Sequence, residues 1–468
     1  MKKADGLNLS LYVQPWMLDA PYFQSIVSTL DVTTNQGFNL GLDTANDLAL
    51  WIGNGTSVES FRLSFSARLQ RWVHVDLTIG GPNIRLRVNH LVYGGLEKAP
   101  APSELQTSMN TQAALDSPLP LLFAATRAAN TSTPACRPTH FFNGRLDAPC
   151  FTALGEPPWT IARYDFSKHI STDEIFDVSG SGLDGKLINQ PTRAVRGHDY
   201  DHHSIGTNWN TANYGFGAIH FHDDDLDDAN WETDFTITIP STVRSGAYAV
   251  EIWDPETALR DYAVFFVRPK EIRPQAKTAF VFSTFTFLAY ANEHMYDETK
   301  STHISFPEGV QPLWSENYAR MLRRTDLGMS IYDLHSDGSG VVYSSSKRPI
   351  LNMRPDYVHW AFGRPREFSA DLLMVGLLEK HLGDAYDILT DHDLHMRGVS
   401  ALAGYDCVVT GSHPEYPSAE SLDAYEGFAK RGGYLIYTGG NGFYVCIPSQ
   451  AVVPIFPVNL HFVNSGGL

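Results

Sequence analysis

The segment VVTGSHPEY (residues 408–416) places a histidine and a glutamate directly after an apolar run. An imidazole can take up or release a proton near neutral pH, and a carboxylate is a hard oxygen donor that can bind a metal ion. Pro414 alone separates His413 from Glu415, and its ring fixes φ and stiffens the link. Because residues i and i+2 of an extended segment point the same way, we expect both ionisable groups on one side of one strand end.

Two further segments bring polar side chains to the predicted ends of apolar runs. They are AFVFSTFTFLAYANEH and MSIYDLHSDGSG, and TGGNGF (438–443) adds a glycine-rich turn with Asn441. Their polar residues are Tyr290, Asn292, Glu293, His294, Tyr332, Asp333, His335 and Asp337. In open α/β sheets, ligands bind beyond the carboxyl ends of the strands. The sequence therefore predicts that a functional site lies at several separate strand ends.

The stretch from residue 273 to 468 alternates continuous apolar runs with helical patterns. AFVFSTFTF and YDCVVTGS are apolar almost throughout, as in parallel strands that are buried on both faces. Residues 369–383 place leucines and a valine on one broad face, and residues 418–433 form a second helical pattern that ends at Gly432. This strand–helix–strand alternation predicts a doubly wound α/β domain.

The first part of the chain has the pattern of β-structure. Residues 1–190 alternate apolar and polar positions in runs such as RWVHVDLTIG, with turn signals such as GGPN between them, which predicts a β-sandwich. FFNGRLDAPCF and the later DVSGSGLDGKL resemble jelly-roll modules of the laminin-G/concanavalin type. Residues 191–272 alternate over WETDFTITIP, SGAYAVEIWD and DYAVFFVRP, which predicts a small immunoglobulin-like (Ig-like) β domain.

Charge and composition exclude several classes of partner. The net charge of −17 argues against nucleic acid, because phosphate binding requires clustered lysine and arginine. No apolar run approaches the roughly 20 residues of a membrane span, and no apolar segment of a signal peptide follows the N-terminus. We therefore expect a cytoplasmic protein without a membrane partner. Cys136 and Cys150 could form a disulfide, but reduced cysteines suit a chain without an export signal.

Longer motifs in the second half of the chain resemble a known enzyme family. DAYDILTDHDLH, VVTGSHPEY and GGYLIYTGGNGFY, preceded by SDGSGVVYSSSKRPILNMRP, are similar to the large (beta) subunit of N,N-dimethylformamidase. The resemblance runs from about residue 7 to residue 444 and is most specific over 328–444. It implies a laminin-G/concanavalin-like jelly roll (1–190), a small Ig-like β domain (191–272) and a glutamine-amidotransferase-like doubly wound α/β domain (273–468), in that order.

The resemblance also implies a metal site. In that family two tyrosines and a glutamate hold a mononuclear iron ion, Fe(3+), and these ligands match Tyr290, Tyr332 and Glu415 here. A histidine that the family places beside the metal for catalysis matches His413. The implied reaction is hydrolysis of the C–N bond of small linear amides, such as N,N-dimethylformamide to formate and dimethylamine. The family's large chain works with a small helical partner subunit and assembles further, so the resemblance implies a higher oligomer.

The residue types suit that site. Phenolates and carboxylates are hard oxygen donors, and a phenol pKa near ~10 means that a strongly acidic cation must keep two phenolates ionised at neutral pH. This requirement favours Fe(III) over Mg or Ca. Three protein ligands leave open positions for water and an amide carbonyl, and His413 can act as base and then as acid. Tyr296 and Tyr343 stand near the matched tyrosines, which leaves those two assignments open.

The end of the sequence supports an alternative function. Residues 445–468 do not resemble the family's continuation, which supplies another acidic residue near the active centre. The α/β domain is therefore expected to be incomplete at its C-terminus. The alternative is a non-catalytic carbohydrate- or ligand-binding protein on a degenerate amidohydrolase scaffold. A third hypothesis is an amide or ester hydrolase that uses His413 with a different metal.

Other polar or aromatic segments have two interpretations each. HFHDDDLDD (220–228) and TDHDLH (390–395) could bind a metal, but an acidic surface loop and a helix cap are the favoured interpretations. The glycines of GGNG (439–442) could donate N–H groups to an oxyanion or simply form a tight turn. Three phenylalanines could form the apolar wall of a pocket, although packing in the core is the favoured interpretation: Phe282, Phe285 and Phe287.

Overall fold

The computed structural model of the chain describes residues 5–92, 100–127, 138–200, 209, 212, 214–233, 236–269, 276–295 and 316–447. The chain divides into two compact units. Unit 1 comprises Met1–Asp225 together with His335–Ser339, and unit 2 comprises Leu226–Leu334 together with Gly340–Leu468. The three-domain division with boundaries after residues 190 and 272 stays a prediction.

Unit 1 is built from β-strands. They are β1 (Gly6–Pro15), β2 (Gln24–Ser28), β3 (Phe38–Leu42), β4 (Leu48–Gly53), β5 (Val58–Leu63), β6 (Val73–Gly80), β7 (Asn83–His90), β8 (Ser103–Ser108), β9 (Leu122–Phe123), β10 (Thr126–Arg127), β11 (Pro138–Thr139), β12 (Gly144–Leu154), β13 (Trp159–Arg163), β14 (Glu174–Ile175), β15 (Gly185–Lys186), β16 (Thr192–Val195) and β17 (Ala218–Phe221). One sheet has the order β16-β17-β12-β1-β6-β7-β8, with β13 beside β12, and a second has the order β5-β4-β3-β2-β9.

The two sheets of unit 1 share one core. Along β6 the side chains alternate between buried and half-buried, as a strand with one core-facing side requires. Leu77 and Leu86 of the larger sheet and Leu40 and Leu50 of the smaller sheet belong to the same apolar cluster. Removing this apolar surface from water stabilises the sandwich by roughly 25 cal/mol per Å². The β-sandwich predicted for the first part of the chain is confirmed.

Unit 2 combines a parallel sheet with helices. Its elements are β18 (Gly246–Trp253), β19 (Arg260–Val267), β20 (Thr278–Phe282), α1 (Thr284–Ala289), α2 (Glu316–Leu322), β21 (Val358–His359), β22 (Arg364–Pro365), α3 (Phe368–Leu382), β23 (Tyr386–Thr390), α4 (Asp391–Arg397), β24 (Cys407–Thr410), α5 (Ala419–Lys430) and β25 (Tyr434–Ile436). β23, β20, β24 and β25 lie side by side in that order and run parallel. Because the strand that comes first in sequence lies inside this sheet, its carboxyl end adjoins a topological switch point.

Helices cover both faces of the parallel sheet. Ala279 and Val281 of β20 belong to the cluster that includes side chains of α4 and α5. Phe280 and Phe282, which alternate with them, belong to the cluster that includes side chains of α3. Successive strand residues point to opposite faces, so a continuous apolar run indicates burial on both sides. The prediction of helices packed around buried parallel strands is confirmed for these elements.

Residues 191–272 differ from the expected Ig-like domain in the part that the structure describes. β16 and β17 join the larger sheet of unit 1, and β18 pairs only with β19 as an antiparallel hairpin in unit 2. The segment WETDFTITIP contains no strand among its described residues. A two-stranded hairpin cannot bury a core of its own. Ala247, Val264 and Phe266 of the hairpin pack against the phenylalanine cluster of the parallel sheet instead.

TDHDLH forms a helix start, which confirms its favoured interpretation. The Thr390 hydroxyl oxygen accepts from the Asp393 N–H at 3.3 Å, and Asp393 Oδ2 accepts from the Thr390 N–H at 3.0 Å. This reciprocal pair is a capping box, which satisfies N–H groups that have no partner inside the helix. The cap fixes the point at which β23 ends and α4 begins.

The described residues also bear on the cysteines and on membrane spans. Cys150 and Cys407 are free and partly buried, and Cys446 is free and exposed. Cys136, the other member of the disulfide considered from the sequence, lies outside the described residues. Within the described ranges, no helix has both the length and the apolar character needed to cross a membrane.

Candidate metal centre

Tyr290 follows a short helix rather than a strand. β20 ends at Phe282, and α1 extends from there to Ala289. The Tyr290 N–H donates to the Thr286 carbonyl oxygen at 3.1 Å, so the residue closes the last turn of α1. The expectation that the strand continues to Tyr290 was wrong, because the short apolar run TFTFLA is compatible with either a strand or a buried helix.

Tyr332 lies in a turn, although the sequence indicated a strand end. The Asp333 N–H donates to the Ser330 carbonyl oxygen at 3.2 Å, and the Tyr332 N–H donates to Ser330 Oγ at 3.1 Å. The Ile331 N–H donates to the carbonyl oxygen of Ala289 at 3.0 Å. This last bond ties the turn to the end of α1, so Tyr332 is positioned by the same helix that carries Tyr290.

Glu415 and His413 follow β24, as predicted. The Glu415 N–H donates to the His413 carbonyl oxygen at 3.0 Å, which closes a three-residue turn around Pro414. The expected extended geometry was therefore wrong, but the turn still brings the two side chains together, with His413 Nε2 at 3.1 Å from Glu415 Oε2. Thr286 Oγ1 accepts from the Glu415 N–H at 3.1 Å, which anchors the turn to the helix that precedes Tyr290.

The three predicted ligands meet at one point. Tyr290 Oη lies 2.7 Å from Tyr332 Oη and 2.8 Å from Glu415 Oε2, and Tyr332 Oη lies 3.4 Å from Glu415 Oε1. The two phenol rings are stacked, with centroids 4.3 Å apart. Tyr290 and Glu415 are buried, whereas Tyr332 is 37% exposed. Tyr332 is therefore the most exposed of the three residues.

The surroundings of Tyr290 oppose its ionisation in the absence of a cation. Burial is the main cause that raises its pKa above the usual value, and the hydrogen bonds to Tyr332 and Glu415 raise it further. A phenol with a raised pKa keeps its proton and acts as a hydrogen-bond donor to the carboxylate. A bound cation reverses this preference because it stabilises the phenolate. The cluster is thus a proton-linked site that suits a highly charged metal ion.

Tyr416 is a member of the cluster that sequence reasoning missed. Its hydroxyl is hydrogen-bonded to the Tyr332 hydroxyl, and its ring packs edge-on against the Tyr332 ring with centroids 6.5 Å apart. Burial, followed by the bond to Tyr332, raises the pKa of the Tyr416 phenol. The signal was available, because Tyr416 completes the quoted motif HPEY directly after Glu415. Tyr416 thus holds the Tyr332 side chain in place by a hydrogen bond and by ring packing.

His413 is held at both ring nitrogens. Its Nδ1 lies 3.0 Å from Glu367 Oε1, and its Nε2 lies 3.3 Å from Asn441 Nδ2 as well as beside Glu415. The ring centroid lies 5.6 Å from that of Tyr290. An imidazole fixed in this way beside three oxygen donors has the position that a general acid–base group requires. Glu367 and Asn441 are further site residues that the sequence did not single out for this role.

The chain matches a family model and curated proteins. Residues 192–453 match the family model described as N,N-dimethylformamidase beta subunit-like, C-terminal. The chain is 39% identical over 324 residues to the N,N-dimethylformamidase beta subunit of Paracoccus aminophilus, a match that covers 65% of this chain and 42% of that protein. This chain belongs to the N,N-dimethylformamidase beta subunit family. The family resemblance read from the sequence is confirmed.

A second relative extends the match over most of the chain. The N,N-dimethylformamidase beta subunit of an Alcaligenes species is 33% identical over 450 residues, which is 90% of this chain and 58% of that protein. The chain therefore spans about half the length of the two curated family members. Among solved structures, the LG1-3 region of the laminin alpha2 chain is similar over 35% of this chain and 30% of that chain, with 15% identity and a TM-score of 0.25.

Most of the other aromatic candidates in this dimethylformamidase-family chain lie apart from the three predicted ligands. The Tyr343 hydroxyl donates to Asp227 Oδ1 at 2.6 Å, and Tyr296 lies outside the described residues. Phe282 and Phe287 belong to the core cluster of the parallel sheet. Phe285 instead packs in the apolar cluster that contains Tyr290 and Tyr416. Of the three phenylalanines considered from the sequence, Phe285 is the one that packs against the site.

Four other polar residues of the strand-end segments, Asn292, Glu293, His294 and Asp333, hold loops in unit 2. The Asn292 amide nitrogen donates to the carbonyl oxygens of Leu327 and Pro349, at 3.2 and 2.8 Å. Glu293 Oε1 accepts from the indole of Trp360 at 3.0 Å and lies 2.9 Å from His359 Nε2. His294 and Asp333 bond each other, with 3.2 Å between Nδ1 and Oδ2. These contacts fix the backbone around Tyr290 and Tyr332.

The GGNG segment holds the HPEY turn. The Gly440 N–H donates to the Ser412 carbonyl oxygen at 3.1 Å, and the Gly442 N–H donates to the Tyr437 hydroxyl at 2.8 Å. A Cβ at Gly439 would lie 2.4 Å from Pro414 Cδ, so only glycine permits this close approach. The N–H groups of Gly440 and Gly442 therefore have partners inside the protein, which favours the tight-turn interpretation.

The histidines of HFHDDDLDD form a separate cluster in unit 1. His220 Nε2 lies 2.8 Å from Asp337 Oδ2, and His222 Nδ1 lies 3.1 Å from Asp225 Oδ1. Two groups of described residues in this cluster have ligand atoms close enough to surround an ion: His220 with His222 and Asp337, and His222 with Asp225 and His335. Arg145 Nε donates to His220 Nδ1 at 3.5 Å, so the proton of His220 is on Nε2 and is donated to Asp337. This arrangement leaves no lone pair on that Nε2 for a metal and favours a hydrogen-bonded role.

Proposed function

We propose that this chain is the metal-binding subunit of an iron-dependent amidohydrolase that cleaves the C–N bond of small linear amides. The observation that carries the proposal is the convergence of Tyr290, Tyr332 and Glu415 at one point beside His413. Family membership supports the same reaction class, since both curated relatives are named N,N-dimethylformamidase beta subunit. N,N-dimethylformamide is the proposed model substrate, with formate and dimethylamine as products.

The spacing of the three oxygen donors suits a metal ion. Two oxygen ligands that lie about 2.0–2.2 Å from one ion, at right angles, are about 2.8–3.1 Å apart. Tyr290 Oη lies 2.7 Å from Tyr332 Oη and 2.8 Å from Glu415 Oε2, and Tyr332 Oη lies 3.4 Å from the other carboxylate oxygen, Glu415 Oε1. Two phenols and one carboxylate form a hard, all-oxygen set, which suits a mononuclear Fe(3+) ion. Tyr290, Tyr332 and Glu415 are the residues that would hold it.

The bound ion would supply Lewis acidity toward an amide carbonyl and toward water. The protein's own part in the reaction is to bind, orient and move protons. His413 would take up a proton at Nε2 from the attacking water and return it to the leaving nitrogen, as a general base and then a general acid. Its Nε2 already faces Glu415, 3.1 Å from Oε2, on the side where the oxygen donors converge.

Apolar and aromatic side chains pack around Tyr290 and support a substrate with alkyl groups. Phe285 and Ile331 pack in the cluster that contains Tyr290 and Tyr416, and Arg366 lies over the Tyr290 ring, 4.8 Å from its centroid. A dialkylated amide offers one carbonyl acceptor and no N–H donor. A site with a cation for the carbonyl oxygen and apolar walls for the alkyl groups suits such a substrate better than a site lined with hydrogen-bond acceptors.

The proposal includes a partner and a fold likeness. Both relatives are named as beta subunits, which supports assembly of this chain with a small helical subunit into a larger oligomer. The order of the four parallel strands supports a glutamine-amidotransferase-like sheet. Ser412 and His413 stand near the position of the nucleophilic cysteine of that fold, so amidotransferase chemistry is not part of the proposal.

The proposed activity is tested with the full chain, purified together with any partner subunit that it retains. Formate release from N,N-dimethylformamide is measured for the wild type, for His413→Asn and for the exposed control His381→Asn on α3. We expect His413→Asn to keep its iron and to lose at least about 10²-fold in kcat, while the control matches the wild type. Iron-loaded wild-type protein that releases no formate contradicts the amidohydrolase. Colourless, iron-free protein favours the non-catalytic ligand-binding alternative.

A further inference from the structure

Glu367 has a positive φ, which is unusual for a residue that carries a side chain. It directly precedes α3 with φ 54° and ψ −122°, a region in which a residue with a side chain is strained. Glu367 occupies the N-cap position, where serine, threonine, aspartate and asparagine usually cap the helix, but its side chain accepts no hydrogen bond from the first turn of α3. The residue is 3% exposed. A buried, strained carboxylate that does not cap its helix indicates a role elsewhere.

The Glu367 carboxylate is directed at His413. Its Oε1 accepts from His413 Nδ1 at 3.0 Å and from Arg366 Nε at 2.8 Å. Its Oε2 is buried and has no hydrogen-bond partner among the residues that the structure describes. The Arg366 guanidinium also packs over the ring of Tyr290. The contacts of Glu367 therefore connect it to the acid–base residue and, through Arg366, to a proposed metal ligand.

The other ring nitrogen of His413 has one donor and one acceptor beside it. The Asn441 side-chain amide nitrogen, which can only donate, lies 3.3 Å from Nε2, and Glu415 Oε2, which in a carboxylate can only accept, lies 3.1 Å from it. On the opposite side of the ring, Nδ1 faces only the Glu367 carboxylate among these contacts, so its proton is held there. Glu367 therefore fixes the proton on Nδ1, and Nε2 is the nitrogen that has partners for both its protonated and its unprotonated form.

We infer that Glu367 is a positioning residue that orients His413 and holds its proton on Nδ1, so that Nε2 faces the oxygen cluster. The inference rests on the function proposed above, in which His413 moves protons. When Nε2 takes up a proton, the ring becomes a cation, and the adjacent carboxylate stabilises it without accepting the proton itself. The strained backbone of Glu367 is the conformation that delivers a buried carboxylate to His413 from the start of α3.

The kinetic test uses substitutions that remove the charge, the whole group or only one methylene. Glu367→Gln keeps the size of the side chain, so it tests the charge with little risk to folding. We expect kcat to fall about 10- to 100-fold in Glu367→Gln and about 10²- to 10⁴-fold in Glu367→Ala. Glu367→Asp keeps the charge and should retain kcat within about tenfold. KM and bound iron should stay within about twofold of the wild type in each variant. Glu379→Gln, in the exposed part of α3, is the matched control.

A second measurement is independent of iron and of activity. Iron-free protein is treated with diethyl pyrocarbonate, and modification of His413 is followed by peptide mass spectrometry. Because both ring nitrogens of His413 have partners, we expect slow modification in the wild type and in Glu379→Gln, and at least about fivefold faster modification in Glu367→Ala. This readout decides whether Glu367 holds the ring even if the chain proves to be no amidohydrolase.

The outcomes separate a positioning role from a general structural role. A loss in kcat alone, partly rescued by Glu367→Asp, together with faster modification of His413, supports the inference. Loss of iron, or an increase in KM that matches the loss in kcat/KM, overturns it, because Glu367 would then support the ligand set or the fold. Unchanged kcat and unchanged modification in Glu367→Ala also overturn it.

Discussion

Asp371 is a buried carboxyl group whose replacement by asparagine should make the stability of unit 2 less sensitive to a rise in pH from acidic to neutral. Its Oδ1 accepts from the Ser412 N–H and the Ser412 hydroxyl, each at 2.6 Å, and thereby supports the start of the HPEY turn. Its Oδ2 and the nearby Ser283 Oγ are buried without partners among the described residues. Burial is the main cause that raises the pKa of Asp371 to about 7. Asparagine keeps the acceptor for Ser412 and removes the charge.

The magnitude follows from linkage between folding and protonation. With a pKa of about 3.9 in the unfolded chain and about 7 in the folded chain, the group favours folding most below pH ~4. Stability then falls as pH rises toward 7, at about 1.4 kcal/mol per pH unit. The full loss is about 4 kcal/mol above pH 7, of which about 1.5 kcal/mol has already occurred at pH 5. Asp371→Asn should therefore gain about 2–3 kcal/mol on the wild type between pH 5 and pH 8.

Urea unfolding of the full chain at pH 5 and pH 8 measures this change. The exposed Asp384, just beyond α3, provides the control Asp384→Asn. We expect the urea midpoint of Asp371→Asn to exceed that of the wild type by more at pH 8 than at pH 5. The control should have the same midpoint as the wild type at both pH values. An equal difference at pH 5 and pH 8 would refute the argument, because the carboxyl would then have the same pKa in both states.

Three further predictions concern the elements that hold the site. Tyr290→Phe removes the hydroxyl that is hydrogen-bonded to both Tyr332 and Glu415, so urea titration should show the iron-free chain destabilised by about 1–3 kcal/mol. Unchanged stability together with full iron binding would show that this hydroxyl contributes to neither. Gly439→Ala brings a Cβ to 2.4 Å from Pro414 Cδ, so we expect formate release and iron content to fall together, and wild-type values for both would contradict the close packing. Thr390→Ala removes the cap of α4 and should cost about 1 kcal/mol in the same unfolding assay, whereas a cost near zero would mean that the capping box does not hold α4.

The sequence contained much of the information on unit 2. Apolar runs that alternate with helical patterns predicted buried parallel strands, and the HPEY motif correctly placed Glu415 and His413 after one of them. The family motifs then selected Tyr290 and Tyr332, which the structure brings within hydrogen-bond distance of each other. The parallel strands and the HPEY motif were predictable because local periodicity and a strand end determine them, whereas the two tyrosines were found only through the family motifs. The ligand role of the three residues stays a prediction.

Other features depend on contacts that no local pattern encodes. Tyr332 reaches the cluster because its turn is hydrogen-bonded to the end of α1. That bond joins Ile331 to Ala289, which are 42 positions apart in the sequence. Glu367 reaches His413 across 46 positions through an unusual φ, which has no signal in its neighbours. The hairpin of β18 and β19 has the alternation of an Ig-like strand pair, but tertiary packing against the parallel sheet decides its surroundings.

The central claim, a ferric ion held by Tyr290, Tyr332 and Glu415, is tested most directly by iron content. Iron per chain and visible absorption are measured for the wild type, for Glu415→Ala and for the control Glu420→Ala on α5. We predict about one iron per chain and a phenolate-to-iron absorption band in the wild type and in Glu420→Ala, and loss of both in Glu415→Ala. Iron content and absorption in Glu415→Ala that equal those of the wild type would contradict the assignment of the ligands.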